Sequence, residues 1–113
     1  MQTDSGGGSM TKHSMYNKQH RDLNEAGILQ ILRAMNIRYT QLRPGDGADL
    51  LVWISPPELW EIKNPDQPPS KRKLTEDEQE ADAYCHEAGI TYRVISTEEE
   101  ATQRINKYFM RRR

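Results

Sequence analysis

The sequence predicts a small α/β domain: a mixed four-stranded sheet flanked by helices, in the order α-β-β-β-α-β-α. Three observations predict it. Apolar residues recur at spacings of three and four near both ends of the chain, the period of a helix with one buried face. Three short apolar runs, separated by turns rich in Pro and Gly, follow the first of these helices and read as an antiparallel meander. A fourth run returns only after a capped helical segment, the crossover that a parallel strand needs.

Taken in order, residues 1–15 read as a disordered leader or linker, with Ser5-Gly6-Gly7-Gly8-Ser9-Met10 as its flexible part, which leaves 16–113 for the domain. From Lys18 to Asn36 the stripe Leu23, Ala26, Ile28, Ile31, Leu32 and Met35 predicts a helix. Ile37–Leu42 is a short strand, ended by the turn Pro44-Gly45-Asp46-Gly47. Leu50–Ile54 is continuously apolar, as in a strand covered on both faces. Leu59–Lys63 is the next strand, and the three prolines of Asn64–Ser70 make a loop there.

Thr75 and Glu78 have the spacing of a capping box and open a helix with the stripe Ala81, Tyr84, Cys85 and Ala88, stopped by Gly89. Tyr92–Ile95 is the fourth strand. Ser96 with Glu99, or Thr97 with Glu100, caps a last helix whose inner face is Ala101, Ile105, Tyr108 and Phe109.

Composition removes several functional classes. The chain has 113 residues, 35% hydrophobic and 29% charged, with one cysteine and three histidines. One cysteine forms no internal disulfide, and the His and Cys positions lack zinc-finger spacing. No apolar run approaches the roughly 20 residues of a membrane span, and no secretory h-region is visible, so a reducing, intracellular compartment is expected. The net charge of −1 divides unevenly: residues 10–75 carry ten basic and seven acidic side chains, 76–100 one and nine, and 101–113 five and none. The chain is therefore not basic throughout, but it has room for a local positive surface.

The chemistry-bearing residues lie on the central strands. Asp49 stands where a glycine turn enters the apolar run. Glu61 and Lys63 are two apart on the next strand and so share a face, with Trp60 and Ile62 on the other. An acid and a lysine so spaced are by themselves most often an exposed ion pair. Two carboxylates on adjacent strands, however, repel unless a cation sits between them, and the hard Mg²⁺ and Mn²⁺ ions suit oxygen ligands. Lys63 could then orient a water or stabilise charge on a phosphoryl group. Lys71-Arg72-Lys73, one loop further on, is the best candidate phosphate contact, with Arg38, Arg43 and Arg111–Arg113 as further contacts. Exposed aromatics for base stacking are not obvious. Cys85 falls on a core stripe, and His86 reads as a surface residue.

The ordered set Gly47-Ala48-Asp49-Leu50-Leu51-Val52, Glu61-Ile62-Lys63, Leu74-Thr75 with Gln79, Ala88-Gly89-Ile90 and Val94-Ile95-Ser96 resembles the PD-(D/E)xK nuclease superfamily. It is most similar to the VRR-NUC branch, the virus-type replication-repair nucleases, over roughly residues 18–108. The resemblance implies a restriction-endonuclease-like core and an Mg²⁺- or Mn²⁺-dependent endonuclease acting on DNA, with branched or junction DNA as substrate. It also implies a homodimer with two active sites, working in a bacterial or phage-infected host cytoplasm.

Residue by residue, the resemblance makes Asp49 and Glu61 metal ligands, with the Ile62 carbonyl as a third, and Lys63 the catalytic lysine. Gln79 would lie near the metal and nucleophile, and Glu25 on the first helix would be a further acidic ligand. Ala48 departs from the family's frequent proline before the aspartate, a position that supplies no chemical group. The competing expectation is a non-catalytic nucleic-acid or protein-binding module that keeps the nuclease fold. Such a module is expected to have lost the Asp/Glu/Lys set, which this chain retains. A purely structural protein comes third and predicts no metal binding.

Overall fold

The computed structural model describes residues 24–111; the leader and the first turn of the first predicted helix, with His13 and His20, lie outside them. Helix α1 covers 24–34 of the described residues. It stops because Asn36 adopts the left-handed conformation (φ 60°). That turn lets the Asn36 and Ile37 amides bond back to the Arg33 and Leu32 carbonyls at 3.0 and 2.8 Å. This is a Schellman closure with Asn in the place glycine usually takes.

The sheet follows as β1 (Tyr39–Gln41), β2 (Leu50–Val52), β3 (Glu58–Ile62) and β4 (Thr91–Ile95), in the spatial order β1-β2-β3-β4. β1–β2 and β2–β3 are antiparallel, with Thr40 opposite Leu51 and Leu51 opposite Leu59. β4 joins parallel to β3, with Trp60 opposite Arg93. A single turn of 3-10 helix (Pro69–Lys71), α2 (Glu76–Ala88) and α3 (Glu98–Arg111) complete the chain. The expected element order and mixed pairing are present.

One face of the sheet is the core. Leu50, Val52, Trp60 and Ile95 point into it and meet Ile28 and Leu32 of α1 and Ala101, Ile105 and Tyr108 of α3. By strand alternation the odd-numbered residues of β2 and β3, with Asp49 just ahead of β2, lie on the opposite face, where α2 packs. Among the described residues no helix is long and apolar enough to cross a membrane.

Several expectations change in detail. Leu50–Ile54 is not covered on both faces: Leu50, Val52 and Ile54 are buried, but Trp53 is 53% exposed, since among the described residues no helix lies over that end of the sheet's second face. Tyr84 is exposed and Cys85 is the only buried residue of α2, because this helix covers a narrow and largely polar strip. Phe109 is on the outer side of α3, while Tyr108 is buried. The proline loop contains one helical turn, since Pro at its first position has no N–H to leave unpaired.

Candidate metal and phosphodiester site

The site begins at a glycine. Gly47 has φ +89°, and a Cβ there would stand 2.6 Å from the Cβ of Ala81 and 2.9 Å from the Asp77 carbonyl. Only glycine lets α2 come down on this turn. The Tyr92 hydroxyl on β4 donates to the Gly47 carbonyl and pins the turn from the other side.

Two residues on, the Asp49 backbone is held from both flanks. Its N–H donates to the Trp60 carbonyl at 2.9 Å, and its carbonyl accepts from the Leu42 N–H at 2.8 Å. Its side chain replaces a missing strand partner: Oδ2 accepts the Ile62 N–H at 2.7 Å, beyond the last paired residue of β2. Asp49 is thereby aimed at the C-terminal end of β3, where Glu61 and Lys63 lie.

Glu61 is 5% exposed. Burial, then the negative charges of Asp49 and Glu78, push its carboxyl up to about 8, against the opposing pull of Lys63. The Lys63 ammonium lies 3.3 Å from Glu61 Oε2 and 2.9 Å from Glu78 Oε1. Burial works against its charge, but the hydrogen bond to Glu78 and the Glu61 charge outweigh burial and hold the ammonium above its ordinary value.

Glu78 has two tasks. It closes the capping box, in which its Oε1 accepts the Thr75 N–H at 2.9 Å and its own amide donates to Thr75 Oγ1. The same oxygen accepts from Lys63. Burial raises the Glu78 carboxyl, but the Lys63 bond and the Thr75 amide outweigh it and leave the group below its ordinary value.

The structure thus brings Asp49, Glu61, Ile62 and Lys63 together and adds Glu78, which sequence reasoning read only as a cap. Glu25 is buried on α1 and accepts from Gln41 Nε2 at 3.1 Å. Its neighbour Asn24 donates to the Lys63 carbonyl at 3.1 Å, so this turn of α1 abuts the end of β3. Gln79 is exposed, and its amide donates to the Leu74 carbonyl at 3.0 Å, a contact within the helix entry. Lys71, Arg72 and Lys73 are exposed, on a loop that the Lys63–Glu78 bond closes back onto the site.

Among the described residues no group of three or more His, Cys, Asp or Glu is spaced to grip a metal ion as it stands. The donor chemistry nevertheless fits a hard cation. Asp49 and Glu61 offer carboxylate oxygens, the donors such a cation takes, and burial beside Asp49 disfavours a charged Glu61 without a compensating positive charge.

One further buried carboxylate escaped sequence reasoning. Glu58, at the other end of β3 and on the core face, accepts from Trp60 Nε1 at 3.0 Å, Arg93 Nε at 2.8 Å and Arg104 Nε at 3.0 Å. Its signal was available: Glu58 shares strand parity with buried Trp60, so an acid there needs cations.

Comparison with family models, with curated proteins and with solved structures finds no match to this chain.

Proposed function

We propose that the chain is a divalent-cation-dependent DNA endonuclease, with Asp49 and Glu61 as its cation ligands and Lys63 as its catalytic lysine. The observation that carries this reading is the grouping of two buried carboxylates, Asp49 and Glu61, with the Lys63 ammonium 3.3 Å from Glu61 at the end of β3. When bound there, Mg²⁺ or Mn²⁺ would withdraw charge from a phosphoryl oxygen and acidify a water.

The chain's own groups supply the rest. Asp49 and Glu61, at neighbouring positions of two backbone-paired strands, would hold the cation. Lys63 has three donors, of which two face Glu61 and Glu78; the third is available to a phosphoryl oxygen or to the attacking water. That water attacks phosphorus in line with the leaving oxygen: its new bond to phosphorus forms as the leaving oxygen's breaks, its proton passes to solvent, and the leaving oxygen takes a proton from solvent. Lys71, Arg72 and Lys73 offer phosphate contacts beside the site. Branched DNA as substrate and a two-site homodimer belong to the same reading.

The test is incubation of labelled linear, flap and four-way-junction DNA with the protein in Mg²⁺, Mn²⁺ or EDTA. Cleavage in either metal and none in EDTA is expected, with the branched forms cut fastest. Undiminished cleavage in EDTA would remove the cation from the mechanism.

One observation favours a second reading. Lys63 already joins Glu61 to Glu78 without a metal, so the ion pairs also suit a binding module that does no chemistry. Such a module binds DNA and leaves it uncut under all three conditions.

A further inference from the structure

We propose that Trp53 is a base-stacking platform for a single-stranded segment of nucleic acid, with Arg33 and Arg38 as its phosphate contacts. Trp53 is 53% exposed, while the chain's other tryptophan, Trp60, is wholly buried. An exposed indole usually lacks a fixed orientation, but this one is held. Its Nε1 donates to Thr40 Oγ1 at 2.9 Å, and its backbone N–H donates to the Arg38 carbonyl at 2.9 Å. Arg33 is tied to the Tyr39 hydroxyl beside it. Together these residues border a concavity of about 490 Å³ whose lining, among the described residues, has two arginines and no acidic side chain. A rigid aromatic face flanked by guanidinium groups is what stacks a base and holds its phosphates.

The patch also lies in a useful place. Asp49, Leu51 and Trp53 alternate onto one face of the sheet, with Thr40 opposite Leu51 on that same face. Asp49 and Trp53 are therefore about 13 Å apart along β2 at about 3.3 Å per residue. Among the described residues α2 covers the turn at Gly47, while Thr40 and Trp53 stay exposed. A strand stacked on Trp53 can run over Leu51 to the carboxylates; that destination rests on the nuclease reading.

Charge argues for a polyanion over a second copy of the chain. A two-fold contact must be self-complementary, and among the described residues this patch offers no acid to answer its own arginines. A duplex hides its base faces, so stacking selects a single strand.

The test is fluorescence anisotropy in EDTA, where cleavage does not interfere. The full chain is titrated into a labelled oligothymidylate of about 15 nucleotides and into a blunt duplex of the same length. Trp53→Ala is expected to weaken oligothymidylate binding about tenfold or more and to leave duplex binding unchanged. Trp53→Phe, which keeps a ring, should recover most of the loss. Arg33→Gln with Arg38→Gln should flatten the plot of log affinity against log salt by about 1.4, at about 0.7 per contact on a single strand.

Unchanged oligothymidylate binding by both Trp53→Ala and the arginine pair would overturn the proposal, as would an equal loss on duplex. Wild type that binds the oligomer in this Trp53-dependent way yet cuts no DNA in Mn²⁺ would leave the platform standing and remove the nuclease. Metal-dependent cleavage with Trp53→Ala binding as wild type would do the reverse.

Discussion

Glu58 and Glu61 are three residues apart on one strand, 2% and 5% exposed, and they titrate in opposite directions. Burial raises both carboxyls. At Glu58 the hydrogen bonds from Arg104, Trp60 and Arg93 outweigh burial and hold the group below its ordinary value. At Glu61 the neighbours are two further carboxylates and one lysine that Glu78 already shares, and the group rises to about 8. The difference lies in which face of the strand each residue occupies. The core face is closed and electrically settled by two arginines. On the α2 face, among the described residues, Glu61 and Glu78 share the single ammonium of Lys63, and burial beside Asp49 raises the Glu61 carboxyl.

The largest effect that can sharpen this contrast is catalytic. Asp49→Ala and Glu61→Ala should each lower cleavage in Mn²⁺ on the order of 10³-fold, since several kcal/mol of charge stabilisation go with the cation. Both variants should remain folded by circular dichroism, because each removes one of two repelling charges. Turnover within a few-fold of wild type by either would mean the site is elsewhere.

On the settled face the expected loss is of stability. Glu58→Ala leaves Arg93 and Arg104 at the rim of the core without their shared carboxylate. The expected cost is about 3–5 kcal/mol in urea unfolding, the usual result of breaking one side of a buried pair. Its sign with pH is fixed. A depressed folded value means the contribution is present above the unfolded value near 4.5 and is lost as pH falls through the folded one. The wild type and Glu58→Ala should therefore converge in stability under acid.

Glu61 works the other way. A folded value of about 8 against 4.5 unfolded means its contribution is complete below 4.5 and is lost as pH rises through about 8. In EDTA the wild type should lose stability across that window, whereas Glu61→Gln, which has no proton to give up, should lose less. Parallel curves would show that neither burial nor the Asp49 charge raises the Glu61 carboxyl.

The smallest effect concerns Glu78, whose carboxylate serves the cap and Lys63 together. Glu78→Ala should cost about 1 kcal/mol through the cap and raise KM or lower kcat through a loosened Lys63. Thr75→Ala should show the stability loss with less effect on cleavage.

The contrast between the two faces was only half legible in the sequence. Asp49 and Glu61 could be placed side by side because a short connection and strand alternation suffice to do so. The caps were legible too: Thr75 with Glu78 forms the expected box, and of the two alternatives for α3 it is Thr97 and Glu100 that exchange bonds, at 3.1 and 3.3 Å. These are local contacts that a few residues determine. The Glu78–Lys63, Glu58–Arg93 and Glu58–Arg104 bonds join residues 15, 35 and 46 apart, and no local pattern announces such partners. Tyr84 and Trp53 misled for a related reason. Apolar spacing shows which face a segment offers, while the extent of the neighbouring helix decides how much of that face is covered.

A nuclease of the proposed kind requires Asp49 and Glu61 to hold a divalent cation. Thermal unfolding of the wild type and of Glu61→Gln, each titrated with Mn²⁺ near pH 8, tests it most directly, because a ligand bound only by the folded state raises Tm with its concentration. The wild type should rise steadily with Mn²⁺ and Glu61→Gln should stay flat. A wild type that Mn²⁺ leaves unmoved, or a Glu61→Gln that rises with it equally, would contradict the claim.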